Sequence, residues 1–306
     1  MASLALVYEH EQWLAPLFAE LDRRELDYRA IHSDGLIFDP EQREAPAPLV
    51  FNRIAMSSFL RSPDHPVFFA QSLFAAWEAS GARIVNGTRA LAVDSSKARQ
   101  LALISSLGHA VPRTRVVHRV ADIVTAAREL VFPLVVKANI GGSGAGIMRY
   151  DSLDQLSDFA AENMVPDSID KVWLVQEYVP ARGGTILRFE VLDGKLLYAL
   201  TVDGGGSFDL CPADACMADP DRPSVSIERA DPGPALTAAA EQIVAAAGID
   251  VGGVEALIDD RDGVARFYDI NGFSNFVADA ENLLGWDPHV TLVDWLTKQQ
   301  QEDRPR

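Results

Sequence analysis

Residues 134–146 decide how this chain is interpreted. Leu134–Lys137 reads LVVK, and after three more residues Gly141–Gly146 reads GGSGAG. Because glycine has no Cβ atom, successive backbone N–H groups of such a loop can turn toward an anion. Lys137 ends an apolar strand, where burial of its charge is costly unless an anion lies nearby. The stretch therefore predicts a phosphate-binding loop with a lysine at its base.

The residues after the loop indicate which kind of loop it is. The sequence lacks the Gly-Lys-Ser/Thr ending of a P-loop, and its glycine spacing does not match G-x-G-x-x-G. Ile147–Tyr150 has the pattern of a short strand, so we expect a hairpin whose tip folds over a triphosphate. The loop alone leaves open the alternative of a flexible hairpin tip that binds no ligand.

Composition excludes several classes of protein. With 306 residues, of which 48% are hydrophobic and 23% charged, the chain is typical of a globular protein of two or three small domains. Its formal net charge of -17 argues against nucleic-acid binding. Every apolar run is shorter than the roughly 20 residues of a membrane helix, and the first residues resemble a strand more than a secretion signal. The chain has only two cysteines, Cys211 and Cys216, and nothing else suggests a secreted disulfide framework, so we expect a reducing cytoplasm. The two have no partner pair or nearby histidine, which argues against zinc.

Strand and helix patterns divide the chain into three parts. Residues 1–93 alternate short apolar strands with helices, which is typical of an α/β domain. Residues 94–179 begin with helix N-cap candidates at 94–96 and contain the glycine loop. Residues 180–306 contain strands joined at the hairpin signal Asp193-Gly194. We expect the second and third parts to be α+β units.

Three oxygen-bearing side chains point to a metal site near the end of the chain. Asp269 and Asn271 are two residues apart on a predicted strand and therefore share one face. Glu255 lies on the preceding strand, and cross-strand neighbours are roughly 5 to 8 Å apart. Carboxylate and amide oxygens suit Mg²⁺. The alternative is that all three are solvated residues on an exposed sheet face.

Two further segments have the character of binding residues. Residues 175–180 end a strand and cross into a new unit, where backbone groups and the Gln176 amide could contact a purine. Arg188 follows a Gly-Gly pair on the next strand and could stabilise charge on a transferred phosphoryl group. Ordinary structural roles explain each segment about as well when it is taken alone.

Taken in order, these features resemble the ATP-grasp superfamily, and within it the RimK-like and glutathione synthetase-like members. The resemblance spans residues 94–300. It implies an ATP-grasp fold with an N-terminal α/β domain at 1–93 and two α+β subdomains, 94–179 and 180–306, that clamp ATP.

The resemblance also implies a role for each matching residue. Phosphate contacts are implied for Lys97, Lys137, Gly142, Ser143, Gly144, Ala145 and Gly146, adenine contacts for Gln176, Glu177 and Val179, catalytic roles for Arg188 and Lys137, and binding of Mg²⁺, or of Mn²⁺ in its place, for Glu255, Asp269 and Asn271.

The implied activity is an ATP-dependent ligation in which a carboxylate is activated as an acyl phosphate and passed to an amine. The implied partners are a small molecule or peptide with a carboxylate and an amine acceptor, without nucleic acid or membrane, and a homo-oligomer is left open. Two alternatives remain: an ATP-grasp kinase that phosphorylates a small molecule, and an inactive nucleotide-binding module that regulates a partner.

This chain departs from the family pattern at the arginine and after the metal residues. An acidic residue often stands two positions before the arginine, where this chain has Ile186, and residues 273–276 read FSNF where relatives often have Pro-Gly. Many members have Asp where this chain has Glu255, and Glu where this chain has Asp269. We expect Asn52-Arg53 in the N-terminal part to hold a substrate carboxylate, with a plain surface arginine as the alternative.

Overall fold

Three β-sheets follow one another along the chain. The computed structural model describes residues 2–41, 44–61, 64–142, 146–205 and 225–302. The first sheet is parallel, and the other two are antiparallel. This order confirms the prediction of an α/β unit followed by α+β units. Cys211 and Cys216, for which structural zinc was not expected, lie outside the described residues.

The first sheet has the strand order β2-β1-β3-β4. Its strands are β1 (Leu4–Tyr8), β2 (Tyr28–His32), β3 (Leu49–Arg53) and β4 (Arg83–Val85), and its helices are α1 (Glu11–Arg23), α2 (Pro66–Ala79) and α3 (Thr88–Asp94). The sequence patterns did not predict β2, because it is an edge strand whose side chains are half-buried or exposed and therefore lack a clear apolar alternation. A short 3-10 helix, Met56–Leu60, follows β3.

The second sheet has the order β5-β8-β6-β7. It consists of β5 (Thr114–Val117), β6 (Leu134–Ala138), β7 (Ile147–Tyr150) and β8 (Trp173–Glu177), with helices α5 (Val120–Ala127) and α6 (Leu153–Ala161). Lys137 pairs with Ile147 at the end of the β6–β7 ladder. The glycine loop therefore joins two antiparallel strands, as the sequence predicted.

The third sheet has the order β11-β10-β9-β12-β13. It consists of β9 (Thr185–Leu192), β10 (Lys195–Asp203), β11 (Ser226–Arg229), β12 (Val251–Ile258) and β13 (Ala265–Asn271). A 3-10 turn, Arg182–Gly184, precedes β9. Asp193 and Gly194 both have positive φ, 52° and 72°, which is the geometry of the predicted tight hairpin.

Helix α4 (Lys97–Ser106) is attached to two sheets. Its N-terminal amides bond to Asn139 beyond β6: Lys97 N donates to the Asn139 carbonyl at 3.1 Å and Ala98 N to Asn139 Oδ1 at 2.9 Å. Gln100 holds β13, since its Nε2 donates to Ile270 O at 3.0 Å and its Oε1 accepts from Ile270 N at 3.1 Å. The boundary at residue 94 remains a prediction, because this helix contacts both of the units it would separate.

The apolar cores join distant parts of the chain. Three further helices complete the fold: α7 (Gly233–Ala247), α8 (Ala280–Leu284) and α9 (Pro288–Glu302). One core contains Phe51 of β3, Leu200 of β10 and Val293 of α9, so the first and third sheets share it. The second sheet packs a separate core around Val136 and Tyr150. None of the helices in the described ranges has the length and apolar character needed to cross a bilayer.

Candidate functional site

A cavity of about 660 Å³ lies between the three sheets. Its lining includes Trp13 and Ser57 from the N-terminal unit and residues from both antiparallel sheets. The site residues predicted from sequence that line it are Lys97, Lys137, Gly142, Gln176, Glu177, Val179, Arg188, Glu255, Asp269 and Asn271. Residues from one end of the chain to the other therefore converge on one space large enough for a nucleotide.

Two buried lysines line the cavity. Lys97 is 7% exposed and Lys137 is 5% exposed, and they come from α4 and β6 respectively. Burial, and secondarily the charge of Lys97, lowers the pKa of Lys137 to about 7. Lys97 Nζ forms an ion pair with Asp269. Two cations held this close together in a cleft favour an anionic ligand.

The glycine loop reaches the N-terminal unit. A Cβ atom on Gly142 would lie 2.6 Å from Ser57 Cβ, so only glycine fits without a shift of the neighbour. Gly146 has φ 70° and its carbonyl accepts from Ala138 N at 3.1 Å, which places it at the base of the hairpin and not in the cavity lining. Ser143, Gly144 and Ala145 lie outside the described residues.

Residues 176–179, at the end of β8, line the cavity, and some of their polar atoms already form hydrogen bonds within the protein. Gln176 Nε2 donates to Thr114 Oγ1 at 2.8 Å, and within the described chain Gln176 Oε1 has no hydrogen-bond partner. Glu177 Oε1 accepts from Val131 N at 3.0 Å. Gln176 Oε1 therefore remains as an acceptor for an amino group, whereas the Glu177 carboxylate has a structural role.

Tyr178, within the predicted purine segment but given no role of its own there, also lines the cavity. The Arg149 guanidinium lies 4.5 Å from the centre of the Tyr178 ring. This cation–π contact connects β7 to the segment after β8, and two residues so distant in sequence carry no shared pattern that could have revealed it.

The three predicted metal ligands lie on paired strands. Glu255 of β12 is opposite Asp269 of β13, and Asn271 Nδ2 donates to Glu255 Oε1 at 3.2 Å. Glu255 is only 8% exposed, which excludes a solvated sheet face for this residue. Burial raises the pKa of Glu255, against the opposing charge of Arg188.

The donor set fits a hard divalent cation. Two carboxylates and an amide offer oxygen atoms across one pair of strands, and cationic side chains at present neutralise the two acids. No group of three or more His, Cys, Asp and Glu side chains with metal-binding placement occurs in the described part of the chain. A cation held here by three protein oxygen donors would take the third from the Asn271 amide.

Arg188 lies between two carboxylates. Its Nε is 2.9 Å from Glu190 Oε1, and its Nη1 is 3.3 Å from Glu255 Oε1. Sequence reasoning missed Glu190, although the two-residue period of β9 places it on the same face as Arg188. The acid of β9 that contacts the arginine stands two positions after it, and not two positions before it as the ATP-grasp resemblance leads one to expect.

Asp94 is a second buried acid that sequence reasoning did not place in the site. It lines the cavity, is 4% exposed, and accepts from Gly272 N at 2.7 Å through Oδ1. Burial raises the pKa of Asp94 to about 7. Of the N-cap candidates at 94–96, Ser96 caps α4, since its Oγ accepts from Arg99 N at 3.3 Å.

Asn52 and Arg53 have different surroundings. Asn52 is completely buried, with Nδ2 donating to Asn86 O and Oδ1 accepting from Ile54 N, so it stabilises the first unit. Arg53 Nη2 donates to Ser274 O at 3.0 Å and to Asn275 Oδ1 at 2.8 Å. Arg53 is thus a contact between the first sheet and the cavity segment after β13, and the plain surface arginine is excluded.

Comparisons with known proteins support the resemblance in sequence. No protein-family model matches the chain. A probable alpha-L-glutamate ligase of Thioalkalivibrio sulfidiphilus is 32% identical over 136 residues, which is 44% of each protein. The chain thus spans less than half the length of this curated relative.

Solved structures cover nearly the whole chain. The ATP-grasp ligase PsnB, complexed with a minimal precursor, has a TM-score of 0.71 at 18% identity and covers 98% of this chain and 100% of its own. A D-alanine–D-alanine ligase from Bacillus anthracis has a TM-score of 0.69 at 14% identity, covering 99% and 98%. PsnB has also been solved with Mg and ADP. One parallel and two antiparallel sheets around a shared cavity, together with these similarities, show that the chain has the ATP-grasp fold.

Proposed function

We propose that this chain is an ATP-dependent ligase that activates a carboxylate and joins it to an amine. One observation carries the proposal: the cavity that contains the cations Lys97 and Lys137 also contains the facing acids Glu255 and Asp269. This combination suits a polyphosphate with its divalent cation. The sequence similarity to a probable alpha-L-glutamate ligase supports the same class of reaction.

The proposed roles follow the lining of the cavity. Lys97 and Lys137 would bind phosphate oxygens, and the loop from Gly142 would cover them. Gln176, Glu177 and Val179 would border adenine. Glu255, Asp269 and Asn271 would hold Mg²⁺, or Mn²⁺ in its place, which neutralises phosphate charge when bound. PsnB, which was solved with Mg and ADP, supports this cofactor assignment.

The chemistry has two steps. A substrate carboxylate oxygen bonds to the γ-phosphorus while the bond from that phosphorus to the β–γ bridging oxygen breaks, giving an acyl phosphate and ADP. The amine nitrogen then bonds to the acyl carbon, phosphate leaves, and the nitrogen loses a proton to form the amide. Arg188, with Nη2 unbonded among the described residues, would stabilise the charge on the transferred group. The loop would exclude water, which would otherwise hydrolyse the acyl phosphate.

Amino acids and peptides are the proposed substrates. Ligation is tested by measuring ADP release with Mg²⁺ and ATP across a panel of amino acids and short peptides, with mass spectrometry of the products. A new amide together with ADP supports the proposal. A stable phosphorylated small molecule would instead establish a kinase, and ATP binding without any turnover across the panel would establish a binding module.

A further inference from the structure

The structure distinguishes two carboxylates that hold Arg188. Glu255 belongs to the proposed cation site, whereas Glu190 does not line the cavity. Glu190 binds Arg188 through Nε, and Glu255 binds it through Nη1. A cation at Glu255 would compete for that carboxylate. The bond to Glu190 would then be the interaction that keeps the guanidinium in place.

Glu190 is a buried carboxylate whose surroundings provide hydrogen-bond donors. It is 1% exposed, and Ser274 Oγ donates to its Oε2 at 2.6 Å. Across the strand pair it faces Gly253, where an added Cβ atom would lie 3.1 Å from Glu190 Oε1. Both carboxylate oxygens thus have a partner, as a buried charge requires.

The same carboxylate connects Arg188 to the cavity segment after β13. Phe273, Ser274 and Asn275 line the cavity. Ser274 is tied to Glu190 through its side chain and to Arg53 through its carbonyl. Glu190 therefore joins the arginine, the segment and, through Arg53, the first sheet.

We propose that Glu190 is a positioning residue. It fixes the Arg188 guanidinium through Nε and holds it at a constant position relative to Ser274, independently of the cation site. This inference rests on the proposed function in assigning Arg188 to the transferred group. The bond between Arg188 Nε and Glu190 then sets the direction of Nη2, and this bond does not change when the cation binds. Such supporting contacts typically change activity by about 10- to 100-fold.

The first test needs no substrate. In unliganded protein with ¹⁵N-labelled arginine, the Nε–H signal of Arg188 should be protected from exchange in the wild type and in Glu255→Gln, and lost or shifted in Glu190→Gln. The signal is identified by its absence in Arg188→Lys. An unchanged signal in Glu190→Gln would overturn the inference, whether or not the chain proves to be a ligase.

The second test separates positioning from cation binding. In Glu190→Gln, turnover should fall about 10- to 100-fold while the KM for ATP and the Mg²⁺ midpoint stay within about twofold of wild type. Glu255→Gln should shift the Mg²⁺ midpoint. Glu241→Gln, a change in an acid that bonds Leu196 N and Lys195 outside the cavity, is the matched control. Wild-type turnover in Glu190→Gln, or a Mg²⁺ shift like that of Glu255→Gln, would refute the positioning role.

A milder variant covers the case in which Glu190→Gln does not fold. Ser274→Ala removes one hydrogen bond from Glu190 and leaves Arg188 untouched. Turnover should fall several-fold with the same Mg²⁺ midpoint, and an unchanged turnover would count against the inference. A wild-type protein that releases no ADP with any substrate would instead contradict the proposed function, and the arginine signal would still decide the role of Glu190.

Discussion

Gly142 lies against Ser57, so closely that a Cβ atom on the glycine would come within 2.6 Å of Ser57 Cβ. The two residues belong to the glycine loop and to the 3-10 helix after β3, which are separate units of the fold. Both residues line the cavity. The glycine is therefore required here by close approach and not by a positive φ.

Gly142→Ala should reduce turnover about 10- to 100-fold, because the loop can no longer approach Ser57 and the phosphate end is misplaced. The thermal unfolding temperature should remain close to that of wild type. Ser57→Gly in the same protein should restore much of the rate by removing the opposing atom. A double variant as slow as Gly142→Ala, measured by ADP release, would show that this contact does not control the loop.

Asp269→Asn should weaken Mg²⁺-dependent ATP binding by at least about tenfold, because one anionic oxygen donor is lost. The unliganded protein should lose about 3 kcal/mol of stability, since the buried Lys97 loses its ion-pair partner. Calorimetric titration of ATP at several Mg²⁺ concentrations, with and without EDTA, measures the first effect.

Asp262→Asn is the matched control for Asp269→Asn, because Asp262 lies in the turn of the same hairpin and pairs with Arg266. EDTA should abolish most ATP binding in the wild type and in this control. In Asp269→Asn, where Mg²⁺-dependent binding is already weak, EDTA should cause little further loss of ATP binding. ATP binding by Asp269→Asn with an unaltered Mg²⁺ dependence would rule out the proposed metal site.

Arg53→Lys should raise the KM for the carboxylate or amine substrate several-fold and leave the KM for ATP nearly unchanged. Both hydrogen bonds come from Nη2, and the shorter lysine side chain would not place its ammonium where Nη2 meets Ser274 O and Asn275 Oδ1. Arg115→Lys, at an exposed pair with Glu129, is the control. Equal changes in the KM for ATP and for substrate would indicate a general loss of structure.

Glu20→Gln should lower the unfolding temperature at neutral pH by a few degrees. Hydrogen bonds from Arg23 and, secondarily, Arg24 lower the pKa of Glu20 to about 2, against the opposing effect of burial. Because the pKa of the folded protein is depressed, this stability is present above about 4.5 and is lost as pH falls toward about 2. The difference in unfolding temperature between Glu20→Gln and wild type should therefore become smaller in acid.

Thermal unfolding across that pH range tests the Glu20 prediction, with Glu129→Gln as the control. Glu129 is 63% exposed, and its pair with Arg115 should contribute little at any pH. If the difference in unfolding temperature between wild type and Glu20→Gln stayed constant through the acid range, the stability could not be assigned to the Glu20 carboxylate.

The sequence patterns predicted the parts of the site that lie on regular strands. Strand alternation placed Asp269 and Asn271 on one face and Glu255 across from them, and the pairing of β12 with β13 has this register. The apolar run before Lys137 predicted β6 at its observed bounds. Local periodicity is sufficient when neighbouring strands are also neighbours in sequence.

Contacts between residues far apart in the sequence could not be predicted in this way. Asp94 meets Gly272 across 178 residues, and Glu190 meets Ser274 across 84. Neither acid belongs to a local pattern that distinguishes a buried carboxylate from a surface one. Their roles depend on tertiary packing, within the third sheet for Glu190 and between α3 and the segment after β13 for Asp94, and not on the residues beside them in sequence.

Helix α4 ties the second sheet to the third at the cavity. Its first two residues are bonded to Asn139 beyond β6, and Gln100, two residues further on, is bonded to β13. Separating the second and third sheets at this helix would break those hydrogen bonds. The helix that carries Lys97 therefore also holds the strand end that carries Lys137 and the strand that carries Asp269. The relative positions of these three charged groups are fixed by the fold before any ligand binds.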